Sequence, residues 1–208
     1  MMVHTGQLFS QTDLDHNQLN GAALDYDPGF YPAAQADELM LLLKNHLDWR
    51  HEPITLFGKK LLQPRLTCWI ADDNIRYKYS SIELLGKGWP DFFEPVRRVV
   101  EAAAGVGFNS LLANYYRDGQ DSMGWHADDE PELGSEPIIA SISFGEARRF
   151  VLRQKANHRQ KFELLLEHGS LLLMRGGTQQ NWQHCVPRTQ NITGPRINLT
   201  FRQIKPME

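Results

Sequence analysis

The chain has 208 residues, of which 41% are hydrophobic and 23% charged, and its formal net charge is −3. This length and composition predict one globular domain with a core of its own. No apolar run approaches the roughly 20 residues of a membrane-spanning helix. The N-terminus lacks the basic and apolar regions of a signal peptide, and two cysteines make no disulfide framework. We therefore expect a cytoplasmic protein, or a nuclear one if its source is eukaryotic.

The first third of the chain is predicted to contain an arm, a helix and a hairpin. Residues 1–30 are polar, and we interpret them as a loosely packed N-terminal arm before a single domain over 31–208. The spacing of leucines predicts an amphipathic helix over 33–47. The run 54–60 is short, apolar and closed by glycine and two lysines, which indicates a hairpin tip or loop.

The segment Arg76-Tyr77-Lys78-Tyr79 alternates cations with aromatic residues. In an extended strand the two tyrosines share one face and the two cations share the other. This pattern is typical of a platform on which bases stack beside phosphate-binding cations. A half-buried strand with its cations in water has the same pattern, so the segment alone leaves both interpretations open.

The second half of the chain changes character after a helix predicted over 91–104. Short β-like runs follow, most of them separated by Gly, Pro or Asn, at 108–116, 138–144, 149–152, 162–166, 170–174, 182–186 and 196–204. Closely spaced short strands predict a sandwich or jelly-roll barrel rather than βαβ units. The predicted fold class is mainly β with flanking helices, and the barrel core occupies about 108–204.

His126 and Asp128 are one residue apart and would point to the same side of an extended segment. His184 is the best candidate for a third ligand, because it lies between Trp182 and Val186 in a β-like run whereas most other histidines have polar surroundings. Two histidines and one carboxylate leave metal positions open for small molecules, as in non-haem iron(II) oxygenases. A buried histidine is more often a hydrogen-bonded core residue, so position alone does not decide the matter.

The last β-like run alternates strictly between apolar residues and a polar set, namely Arg196, Asn198, Thr200 and Arg202. In a barrel strand this pattern places two guanidiniums inside, where they need an anionic partner. A small dicarboxylate would satisfy them, because arginine binds carboxylates through two parallel hydrogen bonds. Asn114 and Tyr116, which are also two residues apart, could add neutral hydrogen bonds to the same ligand.

A basic stretch without acids runs from Arg148 to Lys161 and contains Arg148, Arg149, Arg153, Lys155, His158, Arg159 and Lys161. A surface that contacts phosphates and a solvated hairpin edge explain it equally well. The net charge does not exclude nucleic acid. Residues 1–43 hold six acids and no Lys or Arg, so the remaining residues carry a net charge of +3.

These motifs together, in chain order Asn114-x-Tyr116, His126-x-Asp128, His184 and Arg196-x-Asn198-x-Thr200-x-Arg202, resemble the AlkB-like 2-oxoglutarate/Fe(II) dioxygenases. The resemblance covers about 54–204 and is closest to the branch that repairs alkylated duplex DNA. It implies a double-stranded β-helix (jelly-roll) core with an N-terminal nucleotide-recognition lid at about 54–80. It also implies Fe(II) on His126, Asp128 and His184, 2-oxoglutarate on Arg196 and Arg202 with help from Asn114, Tyr116, Asn198 and Thr200, and O2 as the oxidant.

The resemblance further implies which residues bind the substrate. Phe57-Gly58-Lys59 is similar to a finger that occupies the space of an extruded base. Tyr77 and Tyr79 are similar to the lid aromatics that line the base pocket. Asp129 matches a carboxylate that contacts the base, and Glu130 lies beside it.

The implied activity is oxidative dealkylation of N-alkylated bases in double- or single-stranded DNA, of the 1-methyladenine and 3-methylcytosine type. The reaction is coupled to decarboxylation of 2-oxoglutarate to succinate and CO2, and it releases formaldehyde. One alternative is a 2-oxoglutarate oxygenase that acts on RNA or protein, because the metal triad does not read the substrate. A second alternative is a non-catalytic jelly-roll binding module with structural histidines. We expect a monomer without a membrane partner.

Overall fold

The computed structural model describes residues 19–56, 59–73, 75–79, 82–191 and 194–205, and for 54–56, 59–60, 77–79 and 82–84 it describes the backbone only. Its strands are β1 (Ala23–Asp27), β2 (Pro53–Leu56), β3 (Lys59–Leu62), β4 (Leu66–Ala71), β5 (Arg76–Tyr79), β6 (Ile82–Leu85), β7 (Ser110–Tyr116), β8 (Met123–His126), β9 (Ile139–Gly145), β10 (Arg148–Gln154), β11 (Lys161–Leu166), β12 (Ser170–Arg175), β13 (Trp182–Val186) and β14 (Arg196–Arg202). Its helices are α1 (Ala33–His46), α2 (Glu94–Ala104) and the single-turn α3 (Thr178–Asn181), with 3-10 turns at Asp91–Phe93 and Pro131–Leu133.

Two antiparallel sheets make up the barrel. The larger sheet has the order β1-β12-β9-β14-β7-β4, and the smaller one has the order β11-β10-β13-β8. Most neighbours within a sheet are far apart in the sequence, since the chain crosses repeatedly between the sheets. This winding is a double-stranded β-helix, and it confirms the predicted jelly-roll fold.

The larger sheet is buried on both of its faces. One face packs against α1 and α2, where Leu43 and Val100 meet Ile197, Leu199 and Phe201 of β14. The other face meets the smaller sheet in a second cluster. The three apolar side chains of β14 are each 0% exposed. At about 1.5–3 kcal/mol for each fully buried apolar side chain, their packing anchors this strand in the centre of the fold.

Both long helices confirm the helices predicted from the sequence. α1 begins directly after Pro32 and ends where Leu47 turns to an extended conformation. α2 follows the 3-10 turn and ends at Gly105, whose φ of 71° lies in the left-handed region. Glycine reaches that region without steric cost, which is why it is common just after a helix.

The segment before α1 differs from the predicted loose arm. β1 pairs along β12, from Ala23 opposite Arg175 to Asp27 opposite Leu171. Leu24 of this edge strand is buried, with 2% of its surface exposed. Aspartates are unfavourable in strands, so two of them in a five-residue strand hide its β character from a sequence pattern. The rest of the predicted arm, residues 1–18, lies outside the described residues.

Two hairpins occupy the region predicted as a lid. β2 pairs with β3, and β5 pairs with β6, each as a separate two-stranded sheet. Residues 57–58, which follow β2 in the sequence, lie outside the described residues. Throughout the described ranges, no helix is both long and apolar enough to cross a bilayer.

Candidate active site

Strand pairing brings the predicted metal ligands together. His126 is the last residue of β8, and the antiparallel register sets it directly opposite His184 of β13. The two imidazole centroids are 4.2 Å apart with planes inclined by 64°. Asp128 follows β8, and one ligand atom from each of the three side chains lies within 4.8 Å of the others. The three residues therefore form one potential metal site.

The protonation states of the triad suit a metal ion. Burial, followed by the charge of His126, lowers the pKa of His184 to about 3. Burial also lowers the pKa of His126. Burial would raise the pKa of Asp128, but the positive charge of Arg202 and then the two histidines outweigh it and lower this pKa to about 2. At neutral pH the site holds two neutral imidazoles and one carboxylate, which are the forms that bind metal ions.

Hydrogen bonds orient two of the ligands and leave their metal-binding atoms free. Nδ1 of His126 lies 2.9 Å from the carbonyl oxygen of Gly124, so this nitrogen carries the proton and Nε2 is the ligand. Arg202 donates to Oδ1 of Asp128 through Nη2 at 2.6 Å and Nε at 3.2 Å. The backbone N–H of Asp128 donates to Oε1 of the buried Gln179 at 2.9 Å.

The second oxygen of Asp128 tests whether the residues fit a metal ion. Oδ2 is buried and has no hydrogen-bond partner among the described residues. It lies 3.9 Å from Nε2 of His184. A buried carboxylate oxygen without a partner carries a large desolvation cost. A divalent cation between the three side chains would remove that cost, so the donor set fits one.

A cavity of about 40 Å³ adjoins the triad. A single water molecule needs roughly 10–15 Å³ of such internal space. The cavity therefore accommodates a small polar molecule. The polar residues in its wall include every predicted co-substrate residue: Asn114, Tyr116, Arg196, Asn198, Thr200 and Arg202. The structure therefore brings the six predicted residues and the triad to one space.

The buried guanidinium of Arg196 favours an anionic ligand in this cavity. Its side chain is 1% exposed, and burial lowers its pKa. Nη2 donates to Oγ of Ser143 at 2.9 Å, and the guanidinium carbon lies 5.0 Å from the centroid of the Tyr116 ring. Nε and Nη1 are buried without a hydrogen-bond partner in the described part of the chain. A buried guanidinium with two unpaired nitrogens is costly unless a ligand carboxylate binds it.

The neutral polar residues of the wall mainly hydrogen-bond to one another. Nδ2 of Asn198 donates to Oγ of Ser141 and to the carbonyl oxygen of Ile142, at 2.8 and 2.9 Å. The hydroxyl of Thr200 donates to Oδ1 of Asn198 at 3.0 Å. These hydrogen bonds hold the polar side chains of β14 in fixed positions on the side of the strand that carries Arg196.

Sequence reasoning missed several buried residues of the site, including Arg65 and Gln179 together with the two serines Ser141 and Ser143. Arg65 is 3% exposed, donates through Nε to Oδ1 of Asn114 at 2.7 Å, and keeps Nη2 unpaired among the described residues. Gln179 supports Asp128 from a helix 51 residues away in sequence. The sequence gives no signal for the glutamine. For Arg65, its position before an apolar strand is at most a weak indication of burial.

The predicted substrate residues are only partly described. Asp129 forms an ion pair with Lys155 at 2.7 Å and is about half exposed. Glu130 keeps Oε2 buried without a partner in the described ranges. Phe57 and Gly58 lie outside the described residues, and so do the side chains of Lys59, Tyr77 and Tyr79, whose backbones belong to β3 and β5.

The basic stretch does not form one continuous cationic surface. Arg148 is buried, and Arg149 pairs with Glu163 at 2.6 Å. Arg153 lies over the ring of Trp125, with its guanidinium carbon 4.2 Å from the ring centroid. Neither the solvated-edge interpretation nor the phosphate interpretation therefore applies to the stretch as a whole.

Comparisons with known proteins agree with this geometry. The family model described as the 2OG-Fe(II) oxygenase superfamily matches residues 24–202. The chain is 39% identical to alpha-ketoglutarate-dependent dioxygenase alkB homolog 3 of Bos taurus, over 86% of this chain and 65% of the relative. It is 37% identical to DNA oxidative demethylase ALKBH2 of Arabidopsis thaliana, over 92% and 68% of the two chains. For ALKBH2 of Mus musculus the identity is 35%, over 93% and 85%.

A solved structure, that of OsALKBH1, shares the fold. It superposes with a TM-score of 0.64 at 18% sequence identity, over 88% of this chain and 98% of that one. The chain spans 65% of the length of the alkB homolog 3 relatives from cattle, mouse and human.

Proposed function

The chain belongs to the AlkB-like group of the 2OG-Fe(II) oxygenase superfamily, and on this basis we propose that it oxidatively removes alkyl groups from the ring nitrogens of nucleobases. The proposed substrates are 1-methyladenine and 3-methylcytosine in DNA. Decarboxylation of 2-oxoglutarate to succinate and CO2 accompanies each turnover, and the alkyl carbon leaves as formaldehyde. The names of the relatives, dioxygenase and DNA oxidative demethylase, support this reaction class.

One observation carries the proposal. Asp128 and Arg196 line the same cavity. Among the described residues, Oδ2 of Asp128 and both Nε and Nη1 of Arg196 have no hydrogen-bond partner. The oxygen needs a cation and the guanidinium needs an anion. A divalent metal ion and a small dicarboxylate bound side by side would satisfy both, whereas a purely structural core gains nothing from burying these groups unpaired.

In this proposal His126, Asp128 and His184 hold Fe(II), which with 2-oxoglutarate and O2 supplies the oxidising power for hydroxylation of the alkyl carbon. Arg196 binds and orients a carboxylate of the keto acid. Arg202, the last residue of β14, donates to Asp128 and keeps that carboxyl group ionised. The apolar barrel around the cavity excludes water from the reacting groups.

A base in a duplex must leave the stack before it reaches this cavity, at a cost of a few kcal/mol. We propose that Phe57, with Gly58 and Lys59, fills the space of the extruded base. Tyr77 and Tyr79 then line the base pocket, because aromatic faces stack on bases without regard to sequence. Asp129 and Glu130, next to the metal ligands in the sequence, favour the positive charge of an alkylated ring.

The direct test is turnover on defined substrates. The protein is incubated with Fe(II), 2-oxoglutarate and methylated oligonucleotides, as single- and double-stranded DNA and as RNA, beside a methylated peptide. Mass spectrometry should show loss of a methylene group from the DNA, with matching amounts of succinate and formaldehyde. Turnover of RNA or peptide alone would move the proposal to another substrate. Absence of 2-oxoglutarate-dependent succinate under all conditions would exclude the oxygenase.

A further inference from the structure

Arg148 is a buried cation that the proposed reaction does not use. It is the first residue of β10, and its side chain is among the largest fully buried ones. Nη1 donates to the carbonyl oxygen of Asp118 at 3.1 Å. Nη2 donates to those of Asp121 and Pro187 at 2.9 and 2.8 Å. Its hydrogen-bond acceptors are three backbone carbonyls, and the charges of the nearby Asp118 and Asp121 carboxylates also favour the guanidinium.

These carbonyls belong to the two segments that flank the metal ligands. Asp118 and Asp121 lie between β7 and β8, and β8 ends at His126. Pro187 directly follows β13, which carries His184. The guanidinium therefore connects the segment before one histidine to the segment after the other.

Arg148 also lies against Tyr116, one of the six residues predicted to bind 2-oxoglutarate. Its guanidinium carbon lies 5.6 Å from the centroid of the Tyr116 ring, and that of Arg196 lies 5.0 Å from the same centroid. Distances below about 6 Å allow a cation to be attracted to an aromatic ring. One ring thus orders two guanidiniums, and within the described part of the chain Arg196, which lines the cavity, keeps Nε and Nη1 unpaired.

We propose that Arg148 is a positioning residue for the keto acid: it fixes Tyr116 and the two flanking segments so that the free nitrogens of Arg196 face the cavity. The inference rests on the proposed function, because it assumes that Arg196 binds 2-oxoglutarate. The flat guanidinium of Arg148 is essential to this role, because its face lies near the Tyr116 ring while its edges donate to three backbone carbonyls. Lysine offers three donors but no flat face.

A brace that only stabilises the fold would have a different signature. It would lower the melting temperature when altered but leave the affinity of the folded protein for 2-oxoglutarate unchanged. A positioning residue weakens that affinity in the folded protein, and by more than the affinity for the metal, because the metal-ligand side chains themselves are unchanged. Affinity for the keto acid and affinity for the metal therefore have to be measured on the same variants.

The experiment uses isothermal titration of 2-oxoglutarate into the Mn(II)-loaded full chain, preceded by titration with Mn(II) alone. The variants are R148Q and R148K, and the matched control is R149Q, the neighbouring residue on β10, which is exposed and paired with Glu163. We expect R148Q to raise the dissociation constant of 2-oxoglutarate about 10-fold, the lower end of what supporting residues cost. R148K should give a smaller rise, and R149Q should match the unaltered protein. In R148Q and R148K, Mn(II) affinity should fall by less than the affinity for 2-oxoglutarate, and in R149Q it should be unchanged.

Each outcome is decisive. If R148Q folds and binds 2-oxoglutarate as the unaltered protein does, the positioning role is wrong although the proposed function stands. If R148Q does not fold, R148K decides: unchanged affinity in folded R148K overturns the inference. If the unaltered protein binds Mn(II) but no 2-oxoglutarate, the proposed function fails and the inference fails with it.

Discussion

The imidazoles of His126 and His184 face each other across two hydrogen-bonded strands, with their centroids 4.2 Å apart. Their spacing is set by the ladder between β8 and β13 rather than by a loop. A metal ion held there links the strands through their side chains, as a cross-strand pair does. Metal binding and the stability of the smaller sheet should therefore be coupled.

Replacing His184 by alanine should remove metal binding. The variant loses one of three ligands, so its affinity for Mn(II) should fall by more than about 100-fold, beyond the cost of supporting residues. Isothermal titration with Mn(II) measures this. H158A, which alters an exposed histidine of the β10–β11 hairpin, is the control and should bind as the unaltered protein does. Equal binding by both variants would contradict the triad.

Replacing Arg196 by methionine should affect stability and ligand binding in opposite directions. The change removes a buried cation with two nitrogens that lack partners among the described residues, and replacing buried charged groups by apolar ones is often neutral or stabilising by about 1–4 kcal/mol. The melting temperature without ligand should therefore hold or rise, while the increase caused by 2-oxoglutarate in the unaltered protein should vanish. Thermal denaturation with and without the keto acid measures both. A variant that is still stabilised by 2-oxoglutarate would argue against Arg196 as its anchor.

Replacing Gln179 by alanine should weaken metal binding without touching a ligand. The change leaves the backbone N–H of Asp128 buried and unpaired, at a cost of about 1–3 kcal/mol. Mn(II) affinity should fall about 10- to 100-fold, because Asp128 loses its support. Q180A is the control, since the neighbouring Gln180 is exposed. Similar Mn(II) titrations for the two variants would show that Gln179 is only a packing residue.

The ion pair of Asp121 with Arg117 should make stability depend on pH. Burial would raise the pKa of Asp121, but the hydrogen bonds from Arg117 outweigh it and lower this pKa below its ordinary value of 3.8. A carboxyl group with a lowered folded pKa stabilises fully above its unfolded pKa and loses that contribution as the pH falls through its folded pKa.

We therefore expect D121N to unfold at lower urea than the unaltered protein at pH 7, with a difference of about 1 kcal/mol because Arg117 is partly exposed. The difference should shrink as the pH falls below 3.8. Urea denaturation at pH 7, 5 and 3 measures it. A difference that stays constant across this range would contradict the pairing.

Replacing Phe57 by alanine should impair repair of duplexes more than of single strands. A finger offsets the stacking that is lost when a base leaves a duplex, and a single strand needs less of this help. Initial rates on matched single- and double-stranded methylated oligonucleotides measure the ratio. F92A, which removes a partly buried aromatic beside α2, is a control for general destabilisation. Equal losses on both substrates would remove the finger role.

Much of the fold could be predicted because its elements have strong local patterns. The β-like runs that became β9, β12, β13 and β14 differ from the observed strands by at most two residues at either end. Alternation along β14 correctly separated the residues that face the helices from those that face the cavity. The pairing of β1 with β12 was missed, because the partner strand lies far along the chain and the aspartates mask the pattern.

The site was less predictable where it depends on contacts between distant segments. Arg148 stands in a run of basic residues, and the sequence pattern predicts a surface cation there, yet Arg148 is buried and three backbone carbonyls accept its hydrogen bonds. Gln179 and Arg65 are polar residues whose roles come from a neighbour in space. A hydrogen bond between segments 51 or 49 residues apart leaves no periodic trace in the sequence.

The central position of β14 in the larger sheet has a consequence for slow motions. Its backbone pairs with β7 on one side and β9 on the other. Amide protons on such a strand exchange with solvent only when the whole domain opens, whereas frayed edges exchange through small local openings. The cavity wall should therefore belong to the last unit to open, and any partly open form that keeps this strand protected would keep its ligand as well.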